Sequence, residues 1–240
     1  MSMAIRPLSK ALGRRIGTTQ AISDEIRDAI VQGKLAPGTA LRQDHLAKHF
    51  EVSHIPIREA LKRLESEGWV SSVLHKGAVV SGLDADEARE IYEMRAVLEC
   101  FALKHAIPAH TNATLRVARG ALLAALRERD ASQYMRRNEE FHLALLAPAG
   151  RKHLQSEIEH LHQRSERYLR QKYLQPALKH ESDREHQELL EAVELRNLRK
   201  ATAILSKHLF ATAELLAQHI DDLHRAQALA RPQRAARRPK

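Results

Sequence analysis

His142, His186 and His208 are the side chains whose type and spacing most directly suggest chemistry. His142 has Asn138 one helical turn before it and Leu145 and Leu146 one turn after. His186 is followed at helical spacing by Leu189, Leu190 and Val193, and His208 lies between Ile204 and Leu205 on one side and Thr212 and Leu215 on the other. All three are therefore expected to face inward. His160 and His219, set among Glu157, Gln163 and Arg164 or near Glu214 and Asp222, are expected at the surface. A lone inward histidine is more often a satisfied core residue than a ligand. Three of them on separate helices, one with the carbonyl-bearing Asn138 at i−4, favour the opposite reading, because burying three imidazoles costs several kcal/mol unless each finds a partner. One divalent ion satisfies all three. Imidazole suits zinc, nickel, copper or iron, and three protein nitrogens leave positions open for water or an incoming carboxylate.

A second constellation is Ser53-His54-Ile55-Pro56-Ile57-Arg58. If this is the first turn of a helix lying in a DNA major groove, Ser53, His54, Ile55 and Arg58 point outward, with Lys62 a turn beyond. Arg58 is the best base reader, because its planar fork pairs with guanine O6 and N7 for roughly 1–3 kcal/mol. Lys62 suits a phosphate, and His75 and Lys76 suit the neighbouring backbone or minor groove. The alternative for Arg58 is a solvated side chain or a pair with Glu59 or Glu65.

These residues need elements to position them. Ile22, Ile26 and Ile30 mark a first helix between Gln20 and Gly33, and Pro37-Gly38 centres a turn. A second helix covers 42–50 with Leu46, Ala47 and Phe50 inward. Ser53 is read as the N-cap of a third, with Ile57, Leu61 and Leu64 inward and Gly68 ending it. Val70, Val73, Val79 and Val80 around His75-Lys76-Gly77 predict a two-stranded hairpin, so the whole is a winged helix-turn-helix. Asp84 and Glu87 open a helix to about Ala106, before Pro108. Further helices are expected at about 113–129, 132–147, 151–173, 183–196 and 198–226, with Ser182 and Glu185 as the capping box of the fifth of these six. The fold class is mainly α: a winged helix-turn-helix followed by an all-α antiparallel bundle. The expected division is a basic arm at 1–20, a DNA-binding domain at 21–82, a helical effector, metal-binding and dimerisation domain at 83–228, and a basic disordered tail at 229–240.

The net charge of +9 does not by itself argue for nucleic acid. Arg6, Lys10, Arg14 and Arg15 near the start, with Arg231, Arg234, Arg237, Arg238 and Lys240 near the end, make up the whole surplus. Solvated tails explain such runs as well as a DNA contact does. The single cysteine, Cys100, excludes an internal disulfide framework and suits a reducing cytoplasm. No apolar run is long enough for a membrane span, and the N-terminus lacks the apolar core of a secretory signal, so a cytoplasmic location is expected.

The stretches 34–38 and 46–53, Pro56-Ile57-Arg58-Glu59-Ala60-Leu61 with its continuation to Gly68, and Lys76-Gly77 together resemble the GntR family of bacterial regulators, across residues 21–81. The resemblance implies a homodimer on a short inverted-repeat operator, with Arg58 as the matched family arginine. His54 stands where such regulators usually carry arginine, so operator preference does not transfer. Tyr92-Glu93-Met94-Arg95 with Glu99, Phe141-His142, Ser182 with Glu185-His186, and Ala201 with His208-Leu209 resemble the FCD effector domain of the FadR subfamily, over roughly 84–228. That resemblance implies a metal, zinc first and nickel or another ion as alternatives, on His142, His186, His208 and position 138. There this chain has neutral Asn138 in place of aspartate, which leaves a metal-free pocket as an alternative. It also makes Arg95 the candidate partner of a small carboxylic acid effector, against a simple pair with Glu99 at i+4.

A metal-dependent hydrolase is the competing class. The sequence lacks a His-Glu-x-x-His helix, a Gly-rich phosphate loop and a nucleophile elbow, and Cys100 has no evident base, so no catalytic residue is expected. An architectural DNA-binding protein would leave the inward histidines unexplained.

Overall fold

Two compact units meet in sequence between Gly82 and Leu83. The computed structural model describes residues 15–172 and 176–235. In the first unit α1 (Arg15–Val31), α2 (Gln43–Phe50) and α3 (His54–Ser66) precede an antiparallel hairpin of β1 (Val70–Val73) and β2 (Gly77–Val80), in which Val70 pairs with Val80 and Val73 with Gly77. An isolated bridge from Ala40 to Val79 ties the α1–α2 connection to the hairpin. Ile22, Ile26, Leu46, Ile57 and Leu64 are buried at the centre, each worth roughly 1.5–3 kcal/mol of apolar burial. The α2–α3 turn reverses at Glu51, whose left-handed φ of 55° lets its N–H bond the Ala47 carbonyl. Ser53 occupies the N-cap of α3 in an extended conformation but makes no side-chain capping bond. Beneath this helix, Arg27 on α1 reaches Glu67 at 2.6 Å, and Arg63 closes on the same carboxylate at 2.9 Å.

The second unit contains α4 (Ala85–Ala109), α5 (Asn112–Arg127), α6 (Ala131–Leu146), a 3-10 turn (Ala147–Ala149), α7 (Lys152–Lys172), α8 (Pro176–Glu194) and α9 (Leu198–Ala235). Helices α4 and α9 run antiparallel, since Arg89 meets Glu214 while the Cys100 thiol meets the Thr202 carbonyl. Tyr92, Leu103, Phe141, Tyr168, Leu209 and Leu216 form part of one apolar core. Asp84, Thr111 and Asp130 each cap the helix that follows, accepting from backbone N–H groups of its first turn.

Five local expectations are corrected. Helix α1 already includes Arg15, five residues before Gln20, so part of the predicted arm is helical. Only half of the expected Asp84–Glu87 box forms: Asp84 accepts from the Asp86 and Glu87 backbone, while the Glu87 carboxylate turns to Arg164 and Arg167 on α7. Charged partners outcompete a neutral N–H for a carboxylate. Pro108 lies inside α4, in its last turn, where the loss of one N–H is tolerated beside the helix end. Ser182 is a buried interior residue of α8, whose described part already runs from Pro176, so it caps no helix. Helix α9 continues to Ala235 through part of the predicted disordered tail, because an Ala-rich stretch propagates a helix already anchored upstream. Residues 236–240, the rest of that tail, lie outside the described residues, as does the arm before Arg15.

Candidate functional site

Within the second unit a polar seam crosses the apolar core. His142 on α6, His186 on α8 and His208 on α9 are all buried. Their rings converge through one nitrogen each: His142 Nε2 and His186 Nε2 are 3.3 Å apart, as are His186 Nε2 and His208 Nε2. The opposite nitrogens of two rings are anchored. His142 Nδ1 lies 3.0 Å from Glu99 Oε2, and His208 Nδ1 lies 2.7 Å from Glu185 Oε2. A carboxylate only accepts, so it makes Nδ1 the protonated nitrogen and leaves Nε2 with its lone pair facing the cluster. Nothing of that kind fixes the tautomer of His186, whose Nε2 either donates to one of its two neighbours or, unprotonated, faces a cation together with them.

Asn138, one turn before His142, is buried, and its Oδ1 has no hydrogen-bond partner among the described residues. An orphaned buried carbonyl oxygen costs about 1–3 kcal/mol. Three converging imidazole nitrogens, two of them on carboxylate-oriented rings, and a spare oxygen on the neighbouring turn are the donor set that a divalent transition metal takes, and the residues present fit one.

Arg95 on α4 is 2% exposed and its guanidinium is fully engaged. Nε donates to Glu99 Oε1 at 2.8 Å, one terminal nitrogen donates to Ser165 Oγ at 3.2 Å, and the other lies 3.1 Å from His162 Nε2. The Tyr92 ring covers it at 4.8 Å. Burial works to raise the Glu99 pKa, but Arg95, His162 and His142 outweigh it and hold the carboxyl well below its usual range. Burial and the adjacent Arg95 push the His162 imidazole down to about 4. Glu99 thus links the arginine that was read as an effector contact to the histidine that was read as a ligand.

His162 escaped the sequence reading, as did the roles of Glu99 and Glu185 as histidine anchors. For His162 the signal was present: Ile158, Leu161, Ser165 and Leu169 share its helical face, and all are buried. The two glutamates had no such signal, since an i+4 arginine and a capping motif explained them locally. Glu99, His142 and His162 also bring their donor atoms together. His160 is exposed as expected, whereas His219 is half-buried. The Cys100 thiol is pushed up to about 11 by burial and the nearby Glu99 charge, which keeps it from acting as a nucleophile.

In the first unit Ser53, His54, Ile55, Arg58 and Lys62 are exposed along the start and outer face of α3, with Ile55 54% exposed. His54 Nε2 approaches Asp44 at 3.7 Å. Glu59 accepts from Thr19 at 3.1 Å and Arg63 pairs with Glu67, so neighbouring charges are used inside the unit while Arg58 stays outward. His75 and Lys76 are exposed at the hairpin tip, where His75 adopts a φ of 64°, a left-handed conformation that histidine tolerates better than most residues.

Residues 18–80 match the bacterial regulatory proteins of the gntR family, and residues 90–211 match the FCD domain. The chain belongs to the GntR family and carries an FCD domain. This GntR regulator is 28% identical over 204 residues to the HTH-type transcriptional repressor GlaR of Escherichia coli (strain K12), a match that takes in 80% of this chain and 93% of that protein. It is 44% identical over 87 residues to the gluconate operon transcriptional repressor of Bacillus licheniformis, across 36% of this chain and 35% of that one. Among solved structures, a GntR-family transcriptional regulator from Pseudomonas syringae pv. tomato aligns with a TM-score of 0.54 at 29% identity, covering 94% of this chain and 93% of that one. E. coli McbR/YncC shares the fold at a TM-score of 0.65 and 24% identity, covering 84% of this chain and 97% of that one. The relatives are DNA-binding transcription regulators and not enzymes, and so is this chain. No described helix is long and apolar enough to cross a membrane.

Proposed function

We propose that this GntR regulator is a cytoplasmic repressor that binds an inverted-repeat operator as a homodimer and releases it when a small carboxylic acid occupies the histidine pocket. The observation that carries the pocket reading is the convergence of three imidazole nitrogens, with the outer nitrogens of His142 and His208 held by the carboxylates of Glu99 and Glu185. Asn138, His142, His186 and His208 would hold a divalent transition metal, zinc first and nickel or another ion as alternatives. When bound, the ion supplies open positions that take a carboxylate oxygen.

The protein's own groups do the rest. Glu99 and Glu185 fix the rotation and tautomer of His142 and His208. Asn138 adds a neutral oxygen. Arg95 offers positive charge beside the cluster, and an effector carboxylate that reaches it shares or displaces Glu99. Because α4, α6, α7, α8 and α9 all contribute side chains, a ligand that draws these residues into a new arrangement shifts helices and not only rotamers. Residues 21–82 are the reading domain and 83–228 the sensing domain. Arg58 reads a base, Ser53, His54 and Ile55 border it, Lys62 holds a phosphate, and His75 and Lys76 hold the flank. The repressor sign follows relatives that are named as repressors.

Selection of binding sites from random duplex DNA by the full chain tests this reading. An enriched inverted repeat is expected, released by at least one member of a carboxylic acid panel from the wild type but not from His186→Ala. Recovery of no repeat would sink the operator reading. Equal release from the variant would detach sensing from the histidines.

A further inference from the structure

The tip of the hairpin carries an apolar side chain that the core of its unit does not use. Three residues, Leu74, His75 and Lys76, stand beyond the last strand pair, Val73 with Gly77. The Lys76 N–H donates to the Val73 carbonyl at 3.0 Å, which makes Leu74 and His75 the two corner residues of a four-residue turn. The left-handed φ of 64° at His75 sets the direction of that corner. Leu74 is 83% exposed, the most exposed large apolar side chain among the described residues. Turn corners favour glycine, proline, asparagine, aspartate and serine, each for a backbone reason that leucine lacks. Its surroundings suit a polyanion. Between Gly68 and Asp84 there is no acidic residue, His75 and Lys76 are the ionisable groups, and Ser71 and Ser72 are exposed on β1. The hairpin also belongs to the unit that matches the gntR regulatory proteins.

Groove dimensions decide where such a tip goes. The minor groove of B-DNA is about 6 Å wide, too narrow for a two-stranded ribbon with its side chains, so only the corner residues enter it. Its floor offers hydrogen-bond acceptors at A·T pairs, which an imidazole N–H of His75 can meet. Leucine meets no acceptor, and the apolar surfaces within its reach there are the faces of the bases. Insertion between two base pairs buries the side chain and unstacks the step, a gain and a cost of similar size. The net effect on affinity is therefore small where the step is flexible, as at TA or CA/TG, and unfavourable where the step is stiff. We infer that Leu74 is a wedge that parts one base step beside each half-site, so that the protein selects operator flanks by the ease with which that step opens. The inference rests on the operator reading above, with His75 and Lys76 at the flank, and adds to it a residue and a kind of readout.

The test uses the full chain and the operator recovered from random duplex DNA, with 2-aminopurine placed at each adenine in turn, a base that brightens when unstacked. Binding of wild type should raise the emission at one step per half-site, outside the base pair whose preference relaxes in Arg58→Ala. Leu74→Ala should bind the same repeat with that rise lost, and Leu74→Met, which keeps an apolar wedge, should retain it. Both variants should melt as wild type does, because the side chain is exposed. Replacing the responding step by a stiff A-tract should weaken wild type about tenfold and leave Leu74→Ala within about twofold of its original affinity. Lys76→Ala, by contrast, should weaken all sequences alike and lower the salt slope by about one. A rise that persists in Leu74→Ala, or wild type that binds the repeat with no rise at any position, would overturn the wedge and leave the operator reading standing. Recovery of no repeat would overturn both.

Discussion

At the scale of single residues, Arg58 and Asn138 are where this chain makes its most specific commitments. Arg58 projects exposed from α3, while Glu59 beside it accepts from Thr19. Arg58→Ala should cost roughly 1–3 kcal/mol of operator affinity and relax preference at one base pair, read by fluorescence anisotropy over single-base operator variants. Unchanged affinity would remove Arg58 from base reading. Asn138 presents a buried, unbonded Oδ1 one turn from His142. Asn138→Asp adds a negative charge at that position and should tighten metal binding, measured by competition with a chromophoric chelator. In the same assay Glu185→Gln should weaken it by about 10–100-fold, since the ring of His208 loses its charged anchor. If both substitutions left metal affinity unchanged, neither residue would belong to the site.

At the scale of elements, polar joints sit where helices of the second unit meet, and two of them give stability a defined pH dependence. His110, after α4, lies 3.0 Å from the Leu145 carbonyl through Nε2. Burial lowers its pKa, the Leu145 carbonyl pulls the other way, and Arg196 adds to the depression. The unfolded chain therefore takes up this proton before the folded one does. The contribution of His110 is full above about pH 6.5 and is lost as pH falls below it. Glu87 opposes burial with Arg167, Arg164 and Tyr168, so its pKa is lowered and its contribution is lost only below about pH 4.3. The melting-temperature advantage of wild type over His110→Gln should shrink between pH 7 and pH 5, and its advantage over Glu87→Gln should shrink only on further acidification. A constant difference across either window would contradict the assignment. These joints also explain what was legible in the sequence. Apolar periodicity placed all nine helices seen among the described residues, and the turn around His75-Lys76-Gly77 placed the hairpin. Helix ends were less legible: Ser182 fits a local capping pattern but lies buried inside α8, and Glu87 fits one but turns to Arg164 and Arg167 on α7.

At the scale of the whole molecule, the inward histidines could be read from helical spacing because a buried imidazole leaves an apolar face around it. The seam that connects them to Arg95 could not. Glu99 bridges α4, α6 and α7 through contacts between residues 43 and 63 positions apart in the chain, and no local pattern encodes such a meeting. Its consequence is functional: the candidate ligand set and the candidate effector arginine share one carboxylate, so occupation of one alters the other. In a homodimer on two half-sites, a small shift within each sensing unit changes operator affinity if it changes the spacing of the reading helices.

The central claim is that the histidine cluster is a metal site through which a carboxylate is sensed. Elemental analysis of the full chain purified without added metal, followed by thermal-shift titration with carboxylic acids before and after chelation, tests it most directly. The account predicts one equivalent of a transition metal per chain, lost in His186→Ala with the helical fold retained, and stabilisation by an acid that disappears on chelation. Metal-free protein that a carboxylic acid stabilises to the same extent with or without a chelator would contradict it.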